Sequence, residues 1–167
     1  MNKEKFRLDM QGAIFDLDGT LFDSMWVWNQ VDLDFLGKRG FEVPDDYTKA
    51  IAHMDAHRTA RYTIDRFGLN EDIDDIVNEW FEMAKDKYAY DVICKQGAYE
   101  YVEKLHNQGV KIAIATSSDK VLFEKTLERT GLNKFIDAVV MVKEVNKGKS
   151  HPDVYLEAAR RLGTNPC

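Results

Sequence analysis

The stretch that decides the fold is Gly12-Ala13-Ile14-Phe15-Asp16-Leu17-Asp18-Gly19-Thr20, in which a short apolar run ends directly in an acidic turn containing glycine. The apolar run predicts a buried strand from Gly12 to Phe15, and the turn that follows marks its end. A strand whose residues are apolar without alternation is typical of a parallel sheet that is covered on both faces.

The second half of the chain alternates strands with helices. Apolar runs predict strands at 110–115 and 138–142, and helical periodicity predicts helices at 119–129 and 153–162. Strand–helix–strand–helix order is typical of an α/β domain built on a Rossmann-like parallel sheet. We therefore predict an α/β fold.

The region between these two parts, from about Asp23 to Val92, is helical in its pattern and carries no strand signal. Its clearest helix is predicted at 72–88, where apolar residues recur at the spacing of one helix face. We therefore predict a core of residues 1–22 and 94–167, with a helical-bundle cap of residues 23–93 inserted after the first strand.

Composition excludes several classes of protein. A chain of 167 residues with 44% hydrophobic content can bury one substantial core, and a net charge of −6 argues against nucleic acid or a membrane surface as partner. No apolar run approaches the roughly 18 residues that a membrane span needs. The start of the chain lacks the apolar stretch of a signal peptide, and its two cysteines, Cys94 and Cys167, form no zinc-binding pattern. We expect a soluble, cytoplasmic protein.

Chemically suitable side chains follow three of the predicted strands. Asp16 and Asp18 come after the first, Thr116 and Ser117 after the second, and Lys149 after the third. The carboxyl ends of parallel strands meet at one edge of a sheet, which is where ligands bind. Paired carboxylates suit Mg²⁺, hydroxyls at a helix start suit phosphate, and a lysine offsets negative charge. One carboxylate could attack phosphorus while the other moves a proton.

Each of these features also has an ordinary structural explanation. The acidic turn could be a surface turn, although a calcium loop is excluded because Leu21 and Val27 stand where it requires glycine and glutamate. Thr116 and Ser117, taken alone, are more typical of helix N-caps, and the lysine is more typical of a solvated surface. Their shared position at strand ends, in the order acid, hydroxyl, cation, favours a site.

Three segments resemble, in order, the motifs of the haloacid dehalogenase superfamily, and more narrowly of its helical-cap phosphatases and β-phosphoglucomutase-like members. The segments are 13–24 (AIFDLDGTLFDS), 112–117 (IAIATS) and 148–153 (GKSHPD). The resemblance spans nearly the whole chain, and the first motif is the most specific. It implies a magnesium-dependent phosphoryl transfer through an aspartyl-phosphate intermediate.

The resemblance also implies a role for each residue. Asp16 would be the nucleophile and a magnesium ligand, and Asp18 would be the general acid and base and lend its backbone carbonyl to the metal. Thr116, with Ser117 beside it, would bind the phosphoryl group that is transferred. Lys149 would bind the same group and neutralise the charge that develops on it.

The sequence departs from the family pattern in two places. Ser150 and His151 stand where the family usually has a proline and a small residue, which we expect to leave the role of Lys149 intact. A fourth motif, an acidic pair that completes the family's magnesium site, is expected shortly beyond Cys167. We therefore expect a core that is incomplete at its C-terminus, poorly active, and prone to pair through an open sheet edge, whereas a complete sheet would favour a monomer.

Substrate selection is expected in the cap, with Trp26, His57 and Arg58 as candidates. The alternatives are that Trp26 and Trp28 pack in the cap core, and that His57 and Arg58 belong to a solvated helix start. We predict a magnesium-dependent phosphatase that acts on a small phosphorylated metabolite. The alternatives are a sugar-phosphate mutase and a non-catalytic fragment that lacks the fourth motif.

Overall fold

The computed structural model describes residues 10–164, which divide into two compact units. The first contains the residues up to Asp23, Ile93–Lys120 and those from Leu127 onward, and the second contains Ser24–Val92 and Val121–Thr126. The strands are β1 (Gly12–Phe15), β2 (Phe22–Asp23), β3 (Ile93–Cys94), β4 (Lys111–Thr116) and β5 (Ala138–Met141). The helices are α1 (Val27–Lys38), α2 (Tyr47–Ile51), α3 (Ala56–Phe67), α4 (Ile73–Tyr90), α5 (Ala98–Asn107), α6 (Lys120–Thr130) and α7 (Asp153–Leu162), with short 3₁₀ helices at Leu132–Phe135 and Val142–Glu144.

The main sheet has the order β1-β4-β5, and both pairings are parallel. Phe15 pairs with Ile114 in β1–β4, and Thr116 pairs with Met141 in β4–β5, so the carboxyl ends of the three strands lie at one edge. β4 is central, and its residues from Ile112 onward are buried without alternation, as expected for a strand covered on both faces. The predicted α/β class with a parallel sheet is confirmed.

Two apolar layers cover the faces of this sheet. On one face, residues of β4 and β5 pack with one side of α7 in a single cluster, formed by Ala113, Ala115, Val140, Val154, Ala158 and Leu162. On the other face, the ring of Phe15 meets the ring of Tyr101 in α5 edge to face, with centroids 6.2 Å apart. Packing in these two layers fixes the positions of the strand ends. It therefore also fixes where the loops that carry the candidate site begin.

A second, antiparallel ribbon was not predicted from the sequence. β2 and β3 pair Phe22 with Cys94 and Asp23 with Ile93, and the carbonyl of Leu21 accepts a further hydrogen bond from the N–H of Lys95 at 2.8 Å. Strands of two residues are too short to produce a periodic pattern. Their pairing is decided by contacts between parts of the chain that lie about seventy positions apart.

In the helical unit, α1 packs against α4 and α3 against α4. Val31 and Phe35 are buried, and the Phe35 ring meets the Trp80 ring edge to face at 5.3 Å. Trp26 and Trp28 remain 37% and 44% exposed, so the expectation that these two tryptophans pack in the cap core is wrong. Trp26 precedes the first residue of α1, and Trp28 lies in its first turn, one residue after the buried Val27. No helix within residues 10–164 is long and apolar enough to cross a membrane.

A carboxyl group lies partly buried in this unit. Asp32 is on α1, between the buried Val31 and the ion-paired Asp34, and burial raises its pKa to about 6. The fully buried Tyr47 shares a hydrogen bond of 2.7 Å with the Thr63 hydroxyl. Burial, and to a lesser degree the charge of Asp32, raises the pKa of Tyr47 to about 12. The helical unit therefore holds one acidic side chain in surroundings that favour its neutral form.

We expect Asp32→Asn to stabilise the protein above pH 7. A folded-state pKa raised from 3.8 to about 6 means that the folded protein binds more protons between these values. Stability therefore falls as pH rises through that window and stays lower above it. Removing the charge should increase the free energy of unfolding by about 1–2 kcal/mol at pH 8, as measured by urea denaturation.

The matched control for this prediction is Asp65→Asn, which replaces an exposed aspartate of the same unit. It should leave the difference in stability between pH 4.5 and pH 8 unchanged. The prediction fails if Asp32→Asn shows the same pH dependence as the wild-type chain.

Candidate active site

The turn after β1 holds two carboxylates on either side of a buried leucine. Leu17 is fully buried, and its carbonyl accepts hydrogen bonds from the N–H groups of Thr20, Leu21 and Phe22 at 3.3, 2.9 and 2.9 Å. Gly19 closes this turn at φ +72°, a conformation that a residue with a Cβ adopts only at a cost. Because Leu17 is anchored in this way, the flanking Asp16 and Asp18 are held, partly exposed, at the end of the strand.

Asp16 is paired with Lys149, although 133 positions separate the two residues in the chain. Oδ1 of Asp16 accepts from Nζ of Lys149 and also from the N–H of Leu17, the latter at 2.7 Å. The side chains of Lys149 and Asp16 are 23% and 42% exposed. Oδ2 of Asp16 accepts no hydrogen bond from any residue between 10 and 164. One oxygen of this carboxylate is therefore fixed and the other is available.

The end of β4 presents a buried hydroxyl. Thr116 is fully buried, and its Oγ1 accepts a hydrogen bond of 3.0 Å from the N–H of Ser118. The following helix, α6, begins at Lys120 with Asp119 in the N-cap position, so the alternative that Thr116 and Ser117 cap the helix is wrong. Because the Thr116 hydroxyl accepts this hydrogen bond through its oxygen, its hydrogen remains to be donated.

Ser118, which the sequence reasoning missed, joins this loop to the turn after β1. Its hydroxyl donates a hydrogen bond to Oδ2 of Asp18. Ser117, the neighbour that was predicted to bind phosphate, is exposed and makes no side-chain hydrogen bond with the described residues. Nothing in the sequence distinguishes two consecutive serines, and only the direction of the loop decides which of them faces Asp18.

A further ion pair lies at the same edge of the sheet. Asp119, next to Ser118, pairs with Lys143, which lies on the 3₁₀ helix that follows β5. The side chains of Lys143 and Asp119 are 61% and 40% exposed, so the pair contributes little to stability. It nevertheless ties the loop after β4 to the loop after β5.

The donor set of this edge fits a hard cation that keeps part of its water. Within residues 10–164, no group of three or more His, Cys, Asp and Glu side chains is arranged to hold a metal ion. The turn after β1 supplies the carboxylates of Asp16 and Asp18, which are partly exposed. Mg²⁺ typically binds proteins through one or two carboxylates and completes its shell with water and phosphate oxygens. Asp16 and Asp18 therefore supply donors of the type that such a magnesium site uses.

The residues that were predicted to select the substrate lie in the helical unit. His57 and Arg58 are in the first turn of α3, with side chains 67% and 78% exposed. Nε2 of His57 lies 3.3 Å from Asp74, and Asp55 caps the helix by accepting from the N–H of Arg58 at 2.9 Å. The expectation of a solvated helix start is therefore confirmed for these two. Contact of Trp26, His57 or Arg58 with substrate remains a prediction.

Comparison with known families matches residues 13–167 to the haloacid dehalogenase-like hydrolases. The chain belongs to this family. The match begins at the first residue of the motif that surrounds Asp16 and Asp18 and extends beyond Lys149. It confirms the resemblance drawn from the three motifs and with it the prediction of a hydrolase.

Two curated relatives are longer than this chain, and the chain matches only part of each. The chain is 30% identical over 164 residues to Protein SUPPRESSOR OF QUENCHING 1, chloroplastic, from Arabidopsis thaliana, which covers 95% of the chain but 16% of that protein. It is 27% identical over 160 residues to hexitol phosphatase B from Escherichia coli K12, covering 92% of the chain and 70% of the relative. The chain thus spans a small part of the plant protein and about seven tenths of the bacterial one.

A solved structure agrees with the fold of this family member. The chain superposes on a protein from Thermotoga maritima, provisionally named a β-phosphoglucomutase, with a TM-score of 0.85 and 23% identity. The superposition covers 94% of the chain and 73% of that structure. At this level of identity the agreement concerns the fold alone.

Proposed function

We propose that the protein is a magnesium-dependent phosphatase that hydrolyses a small phosphorylated metabolite through an aspartyl-phosphate intermediate. The observation that carries the proposal is the arrangement of Asp16. One oxygen of its carboxylate is held by Lys149 and by the Leu17 N–H, which leaves Oδ2 to act as the nucleophile. A carboxylate held at one oxygen has lost most of its rotational freedom before the reaction begins.

In the first step, Oδ2 of Asp16 attacks phosphorus, and the bond between phosphorus and the leaving oxygen breaks. Nζ of Lys149 donates a hydrogen bond to Oδ1 of Asp16, the second oxygen of the attacking carboxylate. It offsets the negative charge that gathers on the phosphoryl oxygens in the transition state. The Thr116 hydroxyl, whose oxygen already accepts from the Ser118 N–H, has its hydrogen left to donate to a phosphoryl oxygen.

Asp18 moves the proton in both steps. When protonated, it donates to the leaving oxygen, so that an alcohol departs and Asp18 becomes a carboxylate. It then takes a proton from the water that attacks phosphorus of the aspartyl phosphate, releasing phosphate and restoring Asp16. The position of Asp18 two residues after the nucleophile, across the buried Leu17, supports this division of roles.

Asp16 and Asp18 are also the residues that would hold Mg²⁺. The metal, when bound, offsets the charge of the phosphate and orients it for in-line attack. Lys149 compensates part of the negative charge that two carboxylates and a phosphate bring to one place. Hydrolysis, rather than transfer of the phosphoryl group within a sugar, is favoured by the name of the bacterial relative, a hexitol phosphatase.

The direct test is release of phosphate from 4-nitrophenyl phosphate by the 167-residue chain, with Mg²⁺ and with excess chelator. We expect weak but measurable activity with Mg²⁺ and a loss of at least about tenfold when the metal is removed, because charge compensation by a metal supplies several kcal/mol to the transition state. Recovery on adding Mg²⁺ back, but not Ca²⁺, serves as the control. Activity that is indifferent to chelator would contradict the proposed metal dependence, and no activity under any condition would contradict the phosphatase.

A further inference from the structure

We propose that Ser118 is a positioning residue, whose hydroxyl holds the Asp18 carboxyl group in the orientation from which it donates a proton to the leaving oxygen. This inference rests on the proposed function and extends it to a residue that lies outside the three motif segments. Ser118 follows the second of these segments, on the loop that connects β4 to α6.

The hydrogen bonds of Ser118 connect two strand ends. Its backbone N–H donates to the hydroxyl of Thr116, which is fully buried at the end of β4. Its side-chain hydroxyl donates to Oδ2 of Asp18, in the turn after β1. A serine side chain has a single heavy-atom torsion with three staggered positions, so a restrained backbone limits the Ser118 hydroxyl to three places. In the structure it occupies one from which it bonds Asp18.

A second anchor acts on the other side of the same residue. Asp119 is tied to Lys143 after β5, so Ser118 lies between one residue held by the sheet and one held by an ion pair. The loop is therefore held by the hydrogen bond to Thr116 on one side and by an exposed ion pair on the other. A restrained Ser118 can orient the Asp18 side chain, whereas a mobile Ser118 would move together with it.

The consequence for catalysis follows from the chemistry of the leaving group. A general acid works only when it lies within hydrogen-bond reach of the oxygen that receives the proton. Without the Ser118 hydroxyl, Oδ2 of Asp18 loses this hydrogen bond. The Asp18 carboxyl group then spends less of its time in the orientation from which it donates the proton. The loss should be large for a leaving group that needs a proton and small for one that departs as a stable anion.

The experiment compares phenyl phosphate, whose leaving group needs the proton, with 4-nitrophenyl phosphate, whose leaving group does not. We expect Ser118→Ala to lower kcat/KM about tenfold or more for phenyl phosphate, and less than about threefold for 4-nitrophenyl phosphate. Ser118→Thr keeps the hydroxyl and should restore at least half of the wild-type value for phenyl phosphate. Thermal unfolding of each variant reports whether the fold is intact.

Ser150→Ala is the matched control, because it removes an exposed hydroxyl whose contact in the structure is with the neighbouring His151. This variant should leave kcat/KM unchanged for both substrates. An equal loss on both substrates, or no loss, overturns the inference while leaving the phosphatase intact. So does a failure of Ser118→Thr to recover activity in a folded protein. A wild-type chain that releases no phosphate from either compound contradicts the proposed function instead.

Discussion

Asp16→Asn should reduce the release of phosphate from 4-nitrophenyl phosphate by at least about a thousandfold. The amide has nearly the same shape as the carboxylate, but it lacks the negatively charged oxygen that attacks phosphorus, so no aspartyl phosphate forms. Loss of a covalent nucleophile removes the chemical step itself, and the residual rate then comes from binding and charge stabilisation alone. The measurement is kcat in the presence of Mg²⁺.

The variant must be shown to be folded, since Asp16 lies beside the anchored Leu17. Asp45→Asn, in an exposed turn of the helical unit, is the matched control and should keep full activity. A second measurement strengthens the case. Wild-type chain quenched in acid during turnover should carry a phosphoryl group that hydroxylamine removes, and Asp16→Asn should carry none. Full activity in Asp16→Asn would refute the mechanism.

Much of the α/β unit could be predicted from the sequence, because its strands are short apolar runs that end in polar turns. β1 and α7 have the predicted bounds, and β4 and β5 differ from theirs by one residue at their ends. Apolar runs and helical periodicity are local signals that survive in the folded state because each element buries its own apolar side. The two-residue ribbon of β2 and β3 carries no such signal. It forms because the fold brings together two segments that are about seventy positions apart in the chain.

Local signals were also insufficient in the helical unit. The region from about Asp23 to Val92 was predicted to be helical, with bounds only for a helix at 72–88, and the structure divides it into α1, α2, α3 and α4. The spacing of Trp28, Val31 and Phe35 predicts that the three share one helix face, but Trp28 is 44% exposed while the other two are buried. Spacing alone shows which residues share a side of a helix, and tertiary packing decides which of them the neighbouring helix covers.

The candidate site shows the same division between local and non-local information. The rule that parallel strands end at one edge places Asp16, Thr116 and Lys149 in one region, and the structure pairs the first with the last. The rule does not determine which individual side chain in a loop faces the site. It favoured Ser117, whereas the loop after β4 directs Ser118 to Asp18. The roles of these residues remain predictions that the proposed experiments address.

Lys149→Met should lower kcat/KM for 4-nitrophenyl phosphate by about a hundredfold to a thousandfold. Methionine retains the length and apolar stem of lysine but brings no charge to Asp16 or to the phosphate. The side chain of Lys149 is 23% exposed, so water screens its charge less than that of a surface lysine. Loss of one donor aimed at a transition-state oxyanion typically costs this much.

Lys147→Met supplies the control for charge in general, because Lys147 is an exposed residue two positions earlier in the same loop. Both variants change the net charge of −6 by the same amount, so a general electrostatic effect on an anionic substrate would lower kcat/KM equally in the two. A specific role predicts a large loss in Lys149→Met alone. Lys149→Arg sharpens the test, since guanidinium keeps the charge but spreads it over a planar fork that does not reproduce the compact ammonium beside Asp16. Partial recovery in that variant would show that both the charge and its position matter, and losses of equal size in Lys147→Met and Lys149→Met would contradict the role assigned to Lys149.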